Sequence, residues 1–156
     1  MGRVSAVFAF AVVLIGTVPA QAQEDLRIDQ SKIHVTDPAA CTLIETKGIE
    51  AFMGGDFLAL NFAKGIQSME FQCNFFDVKG REGSSHLFVS AVCELPGEIY
   101  PDTLSISPYS ETEIMVVSSF DAAMVAAGLY EPSGDVAMPG GSLYTRCDNL
   151  SEITVD

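Results

Sequence analysis

Positive charge is the scarcest property of this chain: 8 Lys and Arg stand against 21 Asp and Glu, for a formal net charge of −13 over 156 residues. The densest basic stretch is Lys79-Gly80-Arg81, and it sits beside Glu82. That is too little to follow a phosphate backbone, so nucleic acid and anionic lipid surfaces are excluded as partners. Tryptophan is absent and there are only 2 histidines. No Gly-x-Ser-x-Gly elbow, glycine-rich phosphate loop or alternating Asp loop occurs, and the cysteines are not closely paired. Serine-hydrolase, nucleotide, calcium and zinc chemistry are therefore without a signature, and neither cofactor nor metal is expected.

Long apolar runs are also scarce, with one exception. Arg3 precedes an almost unbroken apolar stretch from Val4 to Val18, and Ala20-Gln21-Ala22 places small residues where a signal peptidase reads. This pattern predicts a cleaved signal peptide over residues 1–22 and a single exported domain over 23–156, periplasmic or secreted, with loose ends at 23–30 and 151–156. No second run predicts a membrane span. The first cysteine is Cys41, so none stands at the cleavage point to carry a lipid anchor. A monomer is expected. The acids are scattered rather than blocked, which suits a self-repelling soluble surface and, more sharply, steering toward a cationic partner.

Cys41, Cys73, Cys93 and Cys147 are an even set in an exported chain and read as two disulfides. Their pairing follows from strand register. Phe57 to Ala63, Lys64-Gly65 and Ile66 to Val78 read as strand, turn and strand, with Leu60 facing Met69 and Leu58 facing Phe71. A turn over Lys79 to Ser85, centred on Gly83, places Phe75 opposite Ala91 and Cys73 opposite Cys93. That makes Cys73–Cys93 reachable and leaves Cys41–Cys147, with Cys41–Cys73 plus Cys93–Cys147 as the competing set. Leu95-Pro96-Gly97-Glu98 ends this unit. A second hairpin centred on Ser110 pairs Ile106 with Ile114 and Leu104 with Val116. Ser119 is positioned to cap a helix over Phe120 to Ala127, stopped by Gly128. Ser142 to Cys147 forms a last strand. Residues 38–47 read either as a helix entered at Asp37-Pro38 or as an extended segment, since Thr42, Ile44 and Thr46 are β-branched. Together these elements predict a mainly β fold, an antiparallel up-and-down meander closing as a small barrel or sandwich, with one or two short helices.

Chemistry-bearing residues are sparse. His86 follows Ser84-Ser85 in a turn and reads as solvated, and His34 falls near the loose start. Glu111 with Glu113, and Glu94 with Glu98, have the form of paired carboxylates, but 21 scattered acids produce such pairs by chance. Asn149-Leu150-Ser151 matches a glycan acceptor. Phe76, Val78, Phe88 and Val92 make the strands over 66–78 and 86–94 apolar on both faces, which implies either a covered central hairpin or a binding patch at Phe76 and Phe88. Gly140-Gly141-Ser142-Leu143-Tyr144 resembles the Ser-Gly-x-x-Tyr loop of periplasmic lysozyme inhibitors over five residues, with the glycines placed before the serine. That resemblance implies Ser142 and Tyr144 as contact residues, against the plainer reading of Tyr144 as a packed strand residue. The expected function is a non-enzymatic binding module for an envelope protein or polymer, including inhibition of a basic partner. The alternative is a small-ligand carrier with an apolar barrel cavity lined by Leu58, Leu60, Met69 and Phe71.

Overall fold

Period-2 alternation carries through to the structure, a computed structural model that describes residues 26–131 and 138–151. Eight antiparallel strands, each paired with its neighbours in sequence and the last with the first, form a closed barrel. They are β1 (Lys32–Val35), β2 (Ala59–Asn61), β3 (Gly65–Gln67), β4 (Gln72–Gly80), β5 (Leu87–Leu95), β6 (Glu98–Pro108), β7 (Glu113–Ser118) and β8 (Gly141–Ser151). Helix α1 (Ala39–Lys47) and a 3-10 helix (Gly48–Met53) connect β1 to β2, and helix α2 (Ser119–Ala126) follows β7. The leader over 1–22 and the tail 152–156 lie outside the described residues. Closure removes the sheet edges that a sandwich would expose.

The β4–β5 pairing has the expected register, with Cys73 opposite Cys93 and Phe75 opposite Ala91. Beyond that point a bulge at Phe76 shifts the register, so that Asp77 faces Ser90 and Val78 faces Val89. One extra residue reverses the side-chain parity. Phe76 therefore points outward, while Val78, expected beside it, packs against the interior core. Pro96-Gly97 is a tight turn joining β5 directly to β6, with Leu95 opposite Glu98, rather than the end of a unit. The β6–β7 hairpin is displaced by two residues from the expected register: Ile106 faces Val116 and Leu104 faces Ser118. A shift of two keeps every inward residue inward.

The segment expected as one strand from Ile66 to Val78 is two strands. Ser68 breaks it: its N–H donates to the Phe71 carbonyl at 2.8 Å, and its Oγ accepts from the Phe71 N–H at 3.2 Å. β3 thus folds back on β4, and Leu60 faces Ile66 rather than Met69, which is exposed at the turn. Gly65 makes this crossing possible. A Cβ there would lie 1.8 Å from the Cys73 carbonyl oxygen, and its φ of +136° suits only glycine.

Two cores result. Leu60, Ile66, Val89, Leu104, Ile106 and Tyr144 fill the barrel interior with the Cys73–Cys93 bridge. Ile33, Val35, Ala59 and Cys147 face outward from β1, β2 and β8 and are covered by Ala40, Ile44 and Ala51 of α1 and the 3-10 helix. The Cys41–Cys147 bridge pins α1 to that wall. Residues 38–47 are therefore helical, with Asp37 Oδ1 accepting the Ala39 N–H at 2.9 Å. At one barrel end Ile28 packs against the interior core. At the other, Asp102 binds the start of α2, and the helix is capped by Ser118 rather than Ser119, its Oγ accepting from the Asp121 N–H.

Candidate functional site

The longest strand pairings of the barrel, β4–β5 and β5–β6, support an exposed outer face with several apolar residues. Along β5 the outward residues are Phe88, Ser90, Val92 and Glu94, since Leu87, Val89, Ala91 and Cys93 are buried. The bulge places Phe76 beside Ser90, while Pro101 of β6 stands opposite Val92 and Ile99 opposite Glu94. Phe76 is 71% exposed and Phe88 58% exposed. Of the two alternatives, a covered hairpin or an open patch, the described residues place no covering layer over these two rings. An Asp77–Lys79 ion pair at 2.5 Å borders the patch at one side, and exposed Glu94 and Glu98 at another. Apolar groups held on a regular sheet and rimmed by charge have the layout of a recognition surface.

A second feature is concave. α1 and the 3-10 helix lean on β1–β4 and leave a cleft of about 240 Å³. Its floor is Ile33, Ile44, Ala59, Phe52 and Phe71, and its rim carries Asn61, Lys64, Gln67 and Gln72. Phe52 is set by a ring contact with Phe57 at 5.2 Å. Ser68 joins the cleft to a more open groove past Met53 and Met69. None of the cleft-lining residues was singled out from the sequence as a site, apart from Phe71 as a lining of the barrel interior. Their convergence depends on α1 packing across strands distant in the chain, and no local pattern carries that information.

The other candidates fall in different places. Tyr144 is 2% exposed, facing Ile114 in the interior, and burial pushes its phenol well above the usual range. It is a core residue rather than a surface anchor, and Ser142 beside it is half-buried opposite Val116. The interior that was to form a ligand cavity is packed: Leu60 is fully buried there, Leu58 and Phe71 pack against it, and Met69 lies outside. His86 is exposed, with Nδ1 3.3 Å from Ser84 Oγ, a contact within one turn. Asn149 donates from Nδ2 to Glu45 Oε2 at 2.7 Å.

His34 is not near a loose end but in β1, 1% exposed, its ring edge-on to Phe62 at 5.9 Å. Among the described residues its Nδ1 has no hydrogen-bond partner. Burial holds its pKa down at about 4; the Lys32 carbonyl opposes this, Arg146 reinforces it, and Asp29 and Asp148 weakly oppose it. At the α2 end, Tyr100 stacks on Phe120 at 3.9 Å. Burial first, then the Asp121 and Asp102 charges, push its phenol up to about 12. Burial and the Asp102 carboxylate likewise raise Asp121.

Among the described residues no three His, Cys, Asp or Glu side chains are grouped to hold a metal, and no helix is long and apolar enough to cross a membrane. What the structure defines is an eight-stranded antiparallel closed barrel with two disulfides, an apolar outer sheet face and a cleft under a tethered helix. Comparison with family models, curated proteins and solved structures found no match.

Proposed function

We propose that this chain is a non-enzymatic binding module, exported to the periplasm or beyond, that docks a basic partner protein of the envelope on the outer face of β4–β6. The exposure of Phe76 and Phe88 carries the reading. Two large aromatic rings stand in water on the longest strand pairings of the barrel, one of them turned outward by a bulge, and aromatic rings are the usual energetic centres of protein interfaces. Charge supports the choice of partner. A net charge of −13 attracts a cationic protein over distances beyond direct contact and repels an acidic one. Two disulfides support an oxidising compartment, consistent with the apolar leader. Inhibition of the partner is the form of this function in which the docked barrel itself blocks a site.

Affinity capture from envelope extract tests it, run at low and high salt with the oxidised protein and with the Phe76→Ser/Phe88→Ser double variant. The expected result is a basic protein retained at low salt, released at high salt, and retained poorly by the variant. Equal retention by both proteins, or no salt-sensitive basic partner, overturns the proposal.

A further inference from the structure

The cleft under α1 is built from outward residues of the short strands and from the helical segment laid across them. Ala59, Gln67 and Gln72 stand in one cross-strand row on β2, β3 and β4, and Ala59 belongs with Ile33 and Ile44 to the second core. Phe52 and Phe71 extend the apolar lining, and Ile49, which also lines the cleft, is 63% exposed. Polar groups of the lining already bond within the chain. Asn61 Oδ1 accepts from the Ala63 N–H at 2.9 Å, Ser68 Oγ accepts from the Phe71 N–H at 3.2 Å, and Gln72 Nε2 donates to Asn74 Oδ1 at 2.9 Å. Lys64 likewise has an interaction of its own. A charged head placed here would give up water for groups bonded to one another, whereas apolar surface gains by leaving water for the floor. We infer that the cleft binds a small uncharged molecule, one apolar ring with a short chain, seated against Ile44, Ile49 and Phe52.

Volume sets the size of the occupant. An apolar cavity of about 150 Å³ takes up one benzene ring, and pockets for drug-sized ligands begin at roughly 300 Å³. At about 240 Å³ the cleft lies between the two, which suits one ring carrying a chain of roughly three carbons. Phe52 and Phe71 favour a ring, since aromatic pairs gain from offset and edge contacts beyond the area they bury. Phe52 is itself set against Phe57 and α1 is fastened by the Cys41–Cys147 bridge, so the wall stands before a ligand arrives and little ordering entropy opposes binding. With the barrel interior packed, this outer cleft is where a carried molecule would sit. None of its described lining residues lies on β5 or β6, so the inference does not depend on the partner reading above.

Hydrocinnamyl alcohol is the probe, with hydrocinnamate and protonated phenylpropylamine as ions of the same skeleton. Titration calorimetry of the oxidised protein is expected to show saturable binding of the alcohol. Both ions should be weaker by about tenfold or more, the effect of partly stripping water from a charge that the lining does not pair. Ile49→Ser changes an exposed position, so the fold should survive it, and it is expected to weaken the alcohol about three- to tenfold through lost apolar contact. Phe76→Ser/Phe88→Ser is expected to bind the alcohol as wild type does. Methyl NMR gives a readout independent of the variants: ring protons of the alcohol should show nuclear Overhauser contacts to the Ile44 and Ile49 methyls. Absence of saturation, saturation without those contacts, an unaltered affinity in Ile49→Ser, or an ion that binds as tightly as the alcohol overturns the inference.

Discussion

At the scale of single residues, Asp102 and His34 hold the barrel's polar interior in opposite ways. Asp102 is buried and fully engaged: Oδ2 accepts from Ser118 Oγ at 2.6 Å, and Oδ1 from Ser119 Oγ at 2.8 Å, Phe120 N–H at 3.0 Å and Thr103 N–H at 2.7 Å. Removing the carboxylate strands the buried Ser118 hydroxyl and three part-buried donors, at up to about 1–3 kcal/mol each before relaxation. Asp102→Ala is therefore expected to lose about 3–4 kcal/mol in urea unfolding, and Asp102→Asn less, because its amide oxygen keeps the Oδ1 bonds. His34 is buried with no Nδ1 partner among the described residues, and its pKa of about 4 lies below the 6.5 of an unfolded chain. Between these values the unfolded state takes up a proton that the folded state refuses. Stability from this group is thus complete above pH 6.5 and falls as pH drops toward 4, by roughly 3 kcal/mol in all. Asp29 and Asp148, lowered mainly by their bonds to Ser31 and Arg146, act below that window, as they start from 3.8. Urea unfolding of wild type and His34→Leu at about pH 7 and about pH 4.5 checks this. The variant should be near wild type at the first and about 2–3 kcal/mol more stable at the second.

At the scale of elements, the two bridges divide the work of the fold. Cys41–Cys147 closes 106 residues and Cys73–Cys93 closes 20, so loop entropy assigns them about 4–5 and about 3 kcal/mol. Cys41→Ser/Cys147→Ser is expected to lose the larger amount and to raise amide hydrogen exchange selectively in α1, leaving β4–β6 protected. Uniform loss of protection would mean that α1 and the barrel form one cooperative unit. Cys73–Cys93 was reachable beforehand because alternation at Phe71, Cys73 and Phe75 met alternation at Ala91 and Cys93 across a Gly83 turn; Cys41–Cys147 followed only as the remaining pair, with the competing set left open. Elsewhere the same signal misled. Nothing in the mixed polar and apolar stretch from Ile66 onward distinguishes one strand from a hairpin, and the fold is decided by the backbone crossing at Gly65 and by Ser68. β1 escaped notice because it is four residues long and carries His34 at its inward position, where alternation expects an apolar residue. The outer patch was half legible: Phe76 and Phe88 were apparent from two-faced apolarity, but the bulge that separates Phe76 from Val78 leaves no composition mark.

At the scale of the whole molecule, one property acts on folding and on binding with opposite sign. A net charge of −13 means that the folded chain gathers mutually repelling carboxylates more closely than the unfolded chain does. The ion pairs Lys79–Asp77 and Arg146–Asp148 have well-exposed acidic partners, so each offsets little of this repulsion. Raising ionic strength from about 0.01 M to about 0.15 M shortens the Debye length from about 30 Å to about 8 Å. The repulsion between carboxylates on different strands is then screened, and the melting temperature should rise. The same screening shortens the reach of the field that draws a cationic partner to the β4–β6 face, so its association rate should fall while dissociation changes less. The Phe76→Ser/Phe88→Ser variant separates the contributions. Its melting temperature should follow salt as wild type does, since exposed outer-face rings contribute little to stability. Its partner complex should dissociate faster at every salt concentration, because what it lacks is contact area rather than charge. Calorimetric scans and surface-immobilised binding kinetics over one salt series read both effects. A melting temperature that falls with salt would show that attractive charge pairs outweigh the carboxylate repulsion, and it would remove the basis for long-range steering as well.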